Sequence, residues 1–186
     1  YALLHVFAKA CLIPLLGKQR RIKQLSLSDR INLDGLTSST VHAIRTGIGA
    51  IRLIMVLQAW SHDTLHPYPD EARNLLAEHA GYTLYDLAAM SMQSYQQNAM
   101  WTHHGLGIAG SLAMLYFRRA SFYPIAFLAT EMTVPIVNGL WLLDNVLVGK
   151  KARYQGRAGQ IRMVLLWLRA IAFVVFRLAI GPLALW

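Results

Sequence analysis

The chain contains a single cysteine, Cys11, among 186 residues. One cysteine excludes an internal disulfide and a cysteine-cluster metal site. Charged residues are also few, because Asp, Glu, Lys and Arg make up 15% of the sequence whereas hydrophobic residues make up 55%. This balance is too apolar for a soluble domain of that length and predicts a single membrane domain over residues 1–186.

Acidic residues are scarce as well, with 9 Asp and Glu against 18 Lys and Arg, which gives a net charge of +9. In a soluble protein this excess would suggest nucleic-acid binding. The sequence lacks a basic stripe with interleaved aromatic residues, so we expect no nucleic-acid partner. The cations instead concentrate in Lys18–Arg30 and Lys150–Arg162, between apolar segments, where they orient spans and meet anionic lipid headgroups.

Apolar segments of membrane-crossing length alternate with short polar ones along the chain. A spanning helix needs roughly 20 mostly apolar residues, so this length accommodates about six spans and no second folded domain. That count places the two basic segments on one face, as the positive-inside rule requires. The predicted spans are Tyr1–Gly17 as a truncated first helix, residues 38–60, Glu78–Gln97, Met100–Phe117, Phe122–Val148 and Gln160–Leu185.

Polarity and proline define the predicted connections. Lys18–Asp34 is basic and polar, and Ser61–Arg73 carries prolines and acidic residues, so both segments are expected to be exposed connections. The hydroxyl side chains at residues 38–40 are expected to cap the second span. Pro124 and Pro135 lie within the fifth span, and proline in a membrane helix predicts a kink.

Polar and ionisable side chains recur inside the predicted spans. Each ionisable group near the bilayer centre costs about 2.5–3.5 kcal/mol on insertion scales, so such groups usually face the protein interior and have partners. Spacings of three, four and seven residues place each set on one helical face. The sets are His42, Arg45, Gly49 and Arg52; Tyr82, Asp86, Gln93 and Gln97; Glu131, Asn138 and Asn145; and Arg162, Arg169 and Arg177.

Two interpretations of these polar sets stay open. Some members can form buried ion pairs that only hold the bundle together, namely Arg45, Arg52, Asp86 and Arg169. Alternatively, the sets line a hydrophilic pocket for a lipid headgroup or an acyl thioester. The candidate cavity-binding residues are then His42, Arg45, Arg52, Glu131, Asn138 and Arg177.

The adjacent histidines His103 and His104, at the start of the fourth span, are the candidate catalytic pair. Neighbouring residues on a helix point about 100° apart, so only one of the two faces the centre squarely. Histidine acts as a general base near neutral pH, and Asp86 on the preceding span could orient it as the acid of a triad does. The same three side chains could ligate zinc, but neither an HExxH motif nor a spaced histidine box is present, so we expect no metal.

Five segments, in this order, resemble the TLC-domain family, which includes ceramide synthases and translocon-associated TRAM proteins. They are Ser39 with His42, GYTLYDLAAM at Gly81–Met90, His103 with His104, TEMTVPIVNGLW at Thr130–Trp141, and FVVFRLAIGP at Phe173–Pro182. The resemblance covers about residues 32–186. It implies an all-α transmembrane bundle that encloses a polar cavity, with membrane lipids as partners. It also implies location in the endoplasmic reticulum membrane, or in a mitochondrial or other organelle membrane if the chain belongs to a complex.

In ceramide synthases the adjacent histidines belong to the active site, and His103 and His104 match them. The resemblance therefore implies lipid acylation with acyl-CoA as co-substrate and no resident cofactor, or else lipid sensing. Where the synthases carry an HDxxD motif, this chain has TEMTVP with Glu131 and Pro135, which places it nearer the non-synthase members. The alternative function is a non-catalytic accessory or structural subunit among other membrane subunits. A transporter is less favoured, since corresponding halves show no paired broken helices.

Overall fold

The computed structural model describes residues 22–93, 98–148 and 155–179, and every regular element there is helical. The described residues form six α-helices: α1 (Leu27–Ile51), α2 (Asp70–Ser91), α3 (Asn98–Phe117), α4 (Phe122–Ala129), α5 (Val134–Leu142) and α6 (Gly156–Phe173). Short 3₁₀ segments occupy Ile22–Gln24 and Thr130–Thr133, and π-helical segments occupy Arg52–Val56, Leu143–Leu147 and Val174–Ala179. The all-α prediction is thus confirmed for this part of the chain.

Two helical stretches in the described ranges are long and apolar enough to cross a membrane. They are Phe122–Leu147 with 26 residues and Gly156–Phe176 with 21 residues. Helices α1, α2 and α3 do not meet the same criterion of length and hydropathy, so a count of about six spans is not shown. The predicted first span, Tyr1–Gly17, lies outside the described residues.

Helix α1 begins at Leu27, so the expectation that Lys18–Asp34 is a connection was wrong for its second half. Ser26 is the N-cap, and its Oγ accepts the backbone N–H of Asp29 at 3.1 Å. The same hydroxyl donates to the Asp29 carboxylate at 2.8 Å. This local pairing satisfies a donor that the first helical turn would otherwise leave free. The helix therefore starts at the Ser26 cap, and the expectation that residues 38–40 cap the second span was wrong, because they lie within α1.

Replacing Ser26 by alanine is expected to lower the free energy of unfolding by about 1 kcal/mol, because the Asp29 N–H loses its acceptor. The measurement is the midpoint of thermal unfolding in detergent. Ser28→Ala, in the same turn, is the matched control. Equal shifts for both variants would show that the cap is not what stabilises this end of α1.

Helix α2 begins at Asp70, directly after Pro69 and well before the predicted start at Glu78. Proline cannot continue an upstream helix, and the acidic side chains of Asp70 and Glu71 in the first turn interact favourably with the helix dipole. The predicted exposed connection Ser61–Arg73 is therefore shorter than expected, since its last residues are helical.

The segment between α1 and α2 is fastened to the turn between α3 and α4. The Ala120 N–H donates to the Leu65 carbonyl at 2.7 Å. The Pro67 carbonyl accepts hydrogen bonds from Trp60 Nε1 at 3.0 Å and Ser121 Oγ at 3.2 Å. These contacts close one end of the bundle.

Asp63 organises the same segment from within. Its carboxylate accepts the backbone N–H of Leu65 at 2.7 Å and contacts the His66 ring at 2.6 Å. The Leu65 N–H, followed by the His66 side chain, holds the pKa of Asp63 below its usual range. The carboxylate is consequently charged at neutral pH, as these contacts require.

Helix α1 lies at the centre of the bundle and packs against α2, α4, α5 and the 3₁₀ segment Thr130–Thr133. Gly47 permits the last of these contacts, because a Cβ atom at this position would lie only 2.7 Å from Met132 Sδ. The core beneath this contact consists of Ala50, Leu53, Trp60, Ala72, Leu76, Ile125, Leu128 and Ala129. Burial of this cluster holds α1, α2 and α4 together.

The stretch predicted as the fifth span is helical from Phe122 to Leu147 but tightens to 3₁₀ geometry at Thr130–Thr133. Pro135 has no N–H to donate to the Glu131 carbonyl, which accepts the Val134 N–H instead. Pro124 lies in the first turn of α4, where a missing donor costs little. The interruption therefore occurs at Pro135 and carries Glu131.

Helix α6 is fastened by one largely buried ion pair. Arg162 Nε lies 3.1 Å from Asp144 Oδ1 and 3.3 Å from Oδ2. Their side chains are 17% and 14% exposed, so the pair is mostly withdrawn from solvent. The contact joins α6 to the π-helical segment that follows α5, and neither residue is among those named for buried ion pairs from the sequence.

Candidate functional site

A cavity of about 500 Å³ lies between α2, α3 and the stretch that runs from α4 into the 3₁₀ segment. One end carries most of its polar side chains, which are His79, Tyr82, Thr83, His103, His104, Thr130 and Glu131. Toward the other end the lining is mainly apolar, with Gly107, Gly110, Met114, Ala120, Pro124, Phe127 and Leu128, and its polar members there are Ser111 and Tyr123. A volume of this size suits a small-molecule ligand.

His104 lines the polar end of the cavity and contacts Asp86, which is not itself among the lining residues. Nε2 of His104 lies 3.1 Å from Oδ2 of Asp86, and these side chains are 10% and 25% exposed. The approach has the distance of an ion pair but not the alignment of a hydrogen bond, and within the described chain this Nε2 has no hydrogen-bond partner.

The two adjacent histidines differ in environment. His104 is buried, whereas His103 is exposed although it also lines the cavity. Their rings meet edge to face with centroids 5.4 Å apart. The structure therefore separates an inner histidine, next to Asp86, from an outer one at the rim.

His79 is a cavity residue that the sequence interpretation did not single out. Its Nδ1 lies 3.1 Å from Nε2 of the buried His42, and its Nε2 lies 3.5 Å from Thr83 Oγ1. The ring of Tyr82 stacks on His42 with centroids 3.9 Å apart. The sequence spacing could have identified it, because His79 precedes Tyr82 by three residues and Asp86 by seven and so lies on the same helical face.

The close approach of α3 to α2 depends on Gly107. A Cβ atom at this position would lie 3.1 Å from His79 Nε2. The absence of a side chain leaves room for the imidazole of His79 at the cavity wall. His104, Gly107 and Ser111, spaced by three and four residues, form the face of α3 that meets α2 and the cavity.

The other predicted site residues lie at different places. Glu131 lines the cavity, and His42 lies directly behind His79. Arg45 has a 72% exposed side chain, and its Nε lies 3.0 Å from Oε2 of Glu78. Arg52 is exposed. The structure thus gathers the histidines, Asp86 and Glu131 and leaves these two arginines on the outer surface of α1 and its π-helical extension.

Asn138 joins helices rather than lining the cavity. Its Nδ2 donates to Thr40 Oγ1 at 2.9 Å and to Ser39 Oγ at 3.2 Å, which ties α5 to α1. Arg169 is exposed on α6, and the side chain of Arg177 lies outside the described residues. The roles predicted for these residues stay predictions.

Metal binding can be examined for the ranges that the structure describes. There, no group of three or more His, Cys, Asp or Glu side chains could hold a metal ion. The His42–His79 contact explains part of this, because the two ring nitrogens face each other at hydrogen-bond distance.

In the described residues every regular element is helical and two stretches are long and apolar enough to cross a membrane, which agrees with a membrane protein, and His104 and Asp86 meet in the interior. Among protein-family models, the TLC domain matches residues 33–186, so the chain belongs to the TLC-domain family. The resemblance predicted from five sequence segments is confirmed, over nearly the same range. No curated protein and no solved structure matches the chain.

Proposed function

We propose that this protein handles a lipid in the cavity between α2, α3 and α4, and that His104 with Asp86 transfers a proton to or from the lipid headgroup. The observation that carries the proposal is the 3.1 Å contact between Asp86 and His104, of which His104 lines the polar end of a mainly apolar cavity. An amphipathic cavity in a membrane protein of the TLC-domain family favours a lipid over a water-soluble ligand.

The chemistry proposed for the catalytic case is acyl transfer from acyl-CoA to a lipid hydroxyl or amine. His104 accepts the proton of the acceptor, whose oxygen or nitrogen then forms a bond to the thioester carbonyl carbon. The carbon–sulfur bond breaks, and the imidazolium returns the proton to the departing CoA thiolate. Asp86 stabilises the imidazolium between these steps, in the manner of a triad acid.

The proposal includes the membrane arrangement predicted from the sequence. About six spans would place the cavity inside the bilayer, with the polar faces of α1, α2 and α3 turned toward one another rather than toward lipid tails. By analogy with the family, the membrane is that of the endoplasmic reticulum. Lipid sensing is the non-catalytic form of the same function, in which the cavity binds the lipid and no bond changes.

Replacing Asp86 by asparagine tests the catalytic form. The change keeps the side-chain shape but removes the charge that stabilises the protonated His104, and we expect lipid product to fall by up to the roughly 10²–10⁴-fold that a general acid–base group contributes. The measurement compares the lipids of membranes that contain equal amounts of wild type or variant by mass spectrometry. Asp29→Asn, on the exposed first turn of α1, is the matched control. Unchanged product in the Asp86 variant would contradict the role given to the carboxylate.

A second candidate function is that of a non-catalytic subunit of a membrane assembly. The observation that favours it is the outward surface of α6, where Trp167 is 66% exposed and Val164 is 58% exposed. Such a surface suits either lipid tails or a neighbouring membrane helix. Co-purification with a large complex in mild detergent, together with an unchanged lipid profile in the Asp86→Asn variant, would favour this function over the first.

A further inference from the structure

We infer that the cavity takes a lipid with a single hydrocarbon chain, that the chain lies between α3 and α4 with its polar group at His104, and that the α3–α4 turn limits its length. This inference rests on the proposed function and specifies its substrate class. It comes from the distribution of polar groups along the cavity, from the side chains at its opening and from the contacts that fix its far end.

The distribution of lining groups gives the cavity a direction. Helix α3 rises roughly 15 Å between His104 and Met114, at 1.5 Å per residue. Across the cavity, α4 runs back in the opposite direction, because a short turn joins the two helices. The charged and imidazole groups therefore lie at one end, and Met114 lies toward the other. A molecule that matches both ends has a polar group and one apolar chain.

The side opening of the cavity suits a hydrocarbon chain. Leu106 on α3 and Phe127 on α4 both line the cavity and are also 69% and 66% exposed. Two large apolar side chains on neighbouring helices thus flank an opening on the outer surface of the bundle. In a bilayer, an opening of this kind admits a lipid tail sideways, without exposing the tail to water.

The far end of the cavity is fixed by the turn between α3 and α4. Ala120 lines this end, and its N–H is held by the Leu65 carbonyl at 2.7 Å. Arg118 and Ala120 both have a φ of 53°, a left-handed conformation that side-chain-bearing residues adopt only when surrounding contacts impose it. A turn constrained in this way forms a rigid floor, so a chain that reaches it cannot extend further.

Gly110 is the position from which this arrangement can be tested. It lines the cavity between His104 and Met114, and a Cβ atom there would meet no atom within 4 Å. A larger side chain at this position therefore fills the chain path without displacing the helix backbone. Gly105, on the same helix, also has open space around an added Cβ but does not line the cavity, which makes it a matched control.

The probe is a primary alcohol with a photoreactive diazirine at the far end of its hydrocarbon chain. It is incubated with the full-length protein in detergent. After irradiation, mass spectrometry of peptides locates the adduct. We expect it on α3 and α4 near Met114 and Tyr123. An adduct at His103 or Glu131, or labelling that does not saturate, would overturn the inference, because the tail would then point elsewhere or would not bind in the cavity.

Competition with decanol, dodecanol, tetradecanol and hexadecanol measures the length limit. We expect Gly110→Leu to weaken competition by the longer alcohols at least tenfold relative to the shortest, whereas Gly105→Leu keeps the wild-type order. The smaller Gly110→Ala change, which also favours the helix, is expected to shift the order in the same direction and serves if the leucine variant does not fold. An unchanged order in the folded Gly110 variants contradicts a chain path past Gly110.

These readouts separate the inference from the function on which it rests. Tail labelling and alcohol competition require binding but no turnover. If labelling and competition behave as expected while Asp86→Asn leaves lipid product unchanged, the inferred path of the hydrocarbon chain is supported and the proposed chemistry is contradicted. If Asp86→Asn abolishes product while the adduct lies outside the cavity, the chemistry stands and the chain path fails.

Discussion

Replacing His104 by alanine is expected to lower lipid product formation by a factor of roughly 10²–10⁴, the usual contribution of a general acid–base group. The reason is geometric, because His104 is the buried histidine of the adjacent pair and the one that lies 3.1 Å from the Asp86 carboxylate. The measurement is product formed per amount of folded protein in membranes, determined by lipid mass spectrometry.

His103→Ala is the matched control for that prediction. This histidine is exposed at the rim of the cavity, so we expect its loss to affect product formation less than the loss of His104. A double variant of His104 and Asp86 should be no worse than His104→Ala alone, because residues that act as a unit are not additive. Equal losses for the two histidine variants, or no loss at all, would contradict the assignment of His104 as the base.

Removing the carboxylate of Asp144 is expected to destabilise the fold by about 3–5 kcal/mol, because it takes an ion-pair partner away from the largely buried guanidinium of Arg162. The guanidinium of Arg162 lies 3.1 Å from this carboxylate, and neither side chain has much access to solvent. We expect Asp144→Ala to reduce the folded yield sharply and to lower the midpoint of thermal unfolding in detergent.

Two comparisons make this second prediction specific. Replacing both partners by apolar residues, Asp144→Leu with Arg162→Met, should restore much of the lost stability, since no charge is then left unpaired. Arg45→Ala breaks the ion pair with Glu78 but removes a side chain that is 72% exposed, so its effect should stay below about 1 kcal/mol. If Asp144→Ala were as mild as Arg45→Ala, the Arg162 charge would not depend on this partner.

Helical spacing was enough to predict that Asp86 and His104 approach each other. Asp86 belongs to a polar set on one predicted span and His104 to the histidine pair on the next, and ionisable groups inside spans usually have polar partners, so the sequence predicted their approach. His79 escaped this reasoning because it lies near the predicted start of its span, where histidine is common at a membrane interface. The structure starts α2 at Asp70, which moves His79 into the helix interior.

The contacts that fix the far end of the cavity could not be predicted in this way. The hydrogen bond from Ala120 to Leu65 joins residues far apart in sequence and uses only backbone atoms, so no side-chain pattern predicts it. The start of α1 was missed for a different reason, since average polarity hides a single capping serine. The periodicity of polar and apolar residues reveals neither local hydrogen bonds nor long-range backbone contacts.

The span count shows a conflict between two sequence signals. A helix that turns a polar stripe toward a cavity loses hydropathy, and α1, α2 and α3 carry such stripes with His42, Asp86 and His104. These helices consequently fall short of the criterion that Phe122–Leu147 and Gly156–Phe176 meet. The side chains that suggest function thus weaken the evidence for spanning the bilayer.

The backbone bond between Ala120 and Leu65 has a mechanical consequence. It joins the α1–α2 connection to the α3–α4 turn, so a movement of one segment is opposed by the other. A ligand that reaches Ala120 therefore meets a turn that is anchored on its outer side by Leu65, and both segments resist its further passage.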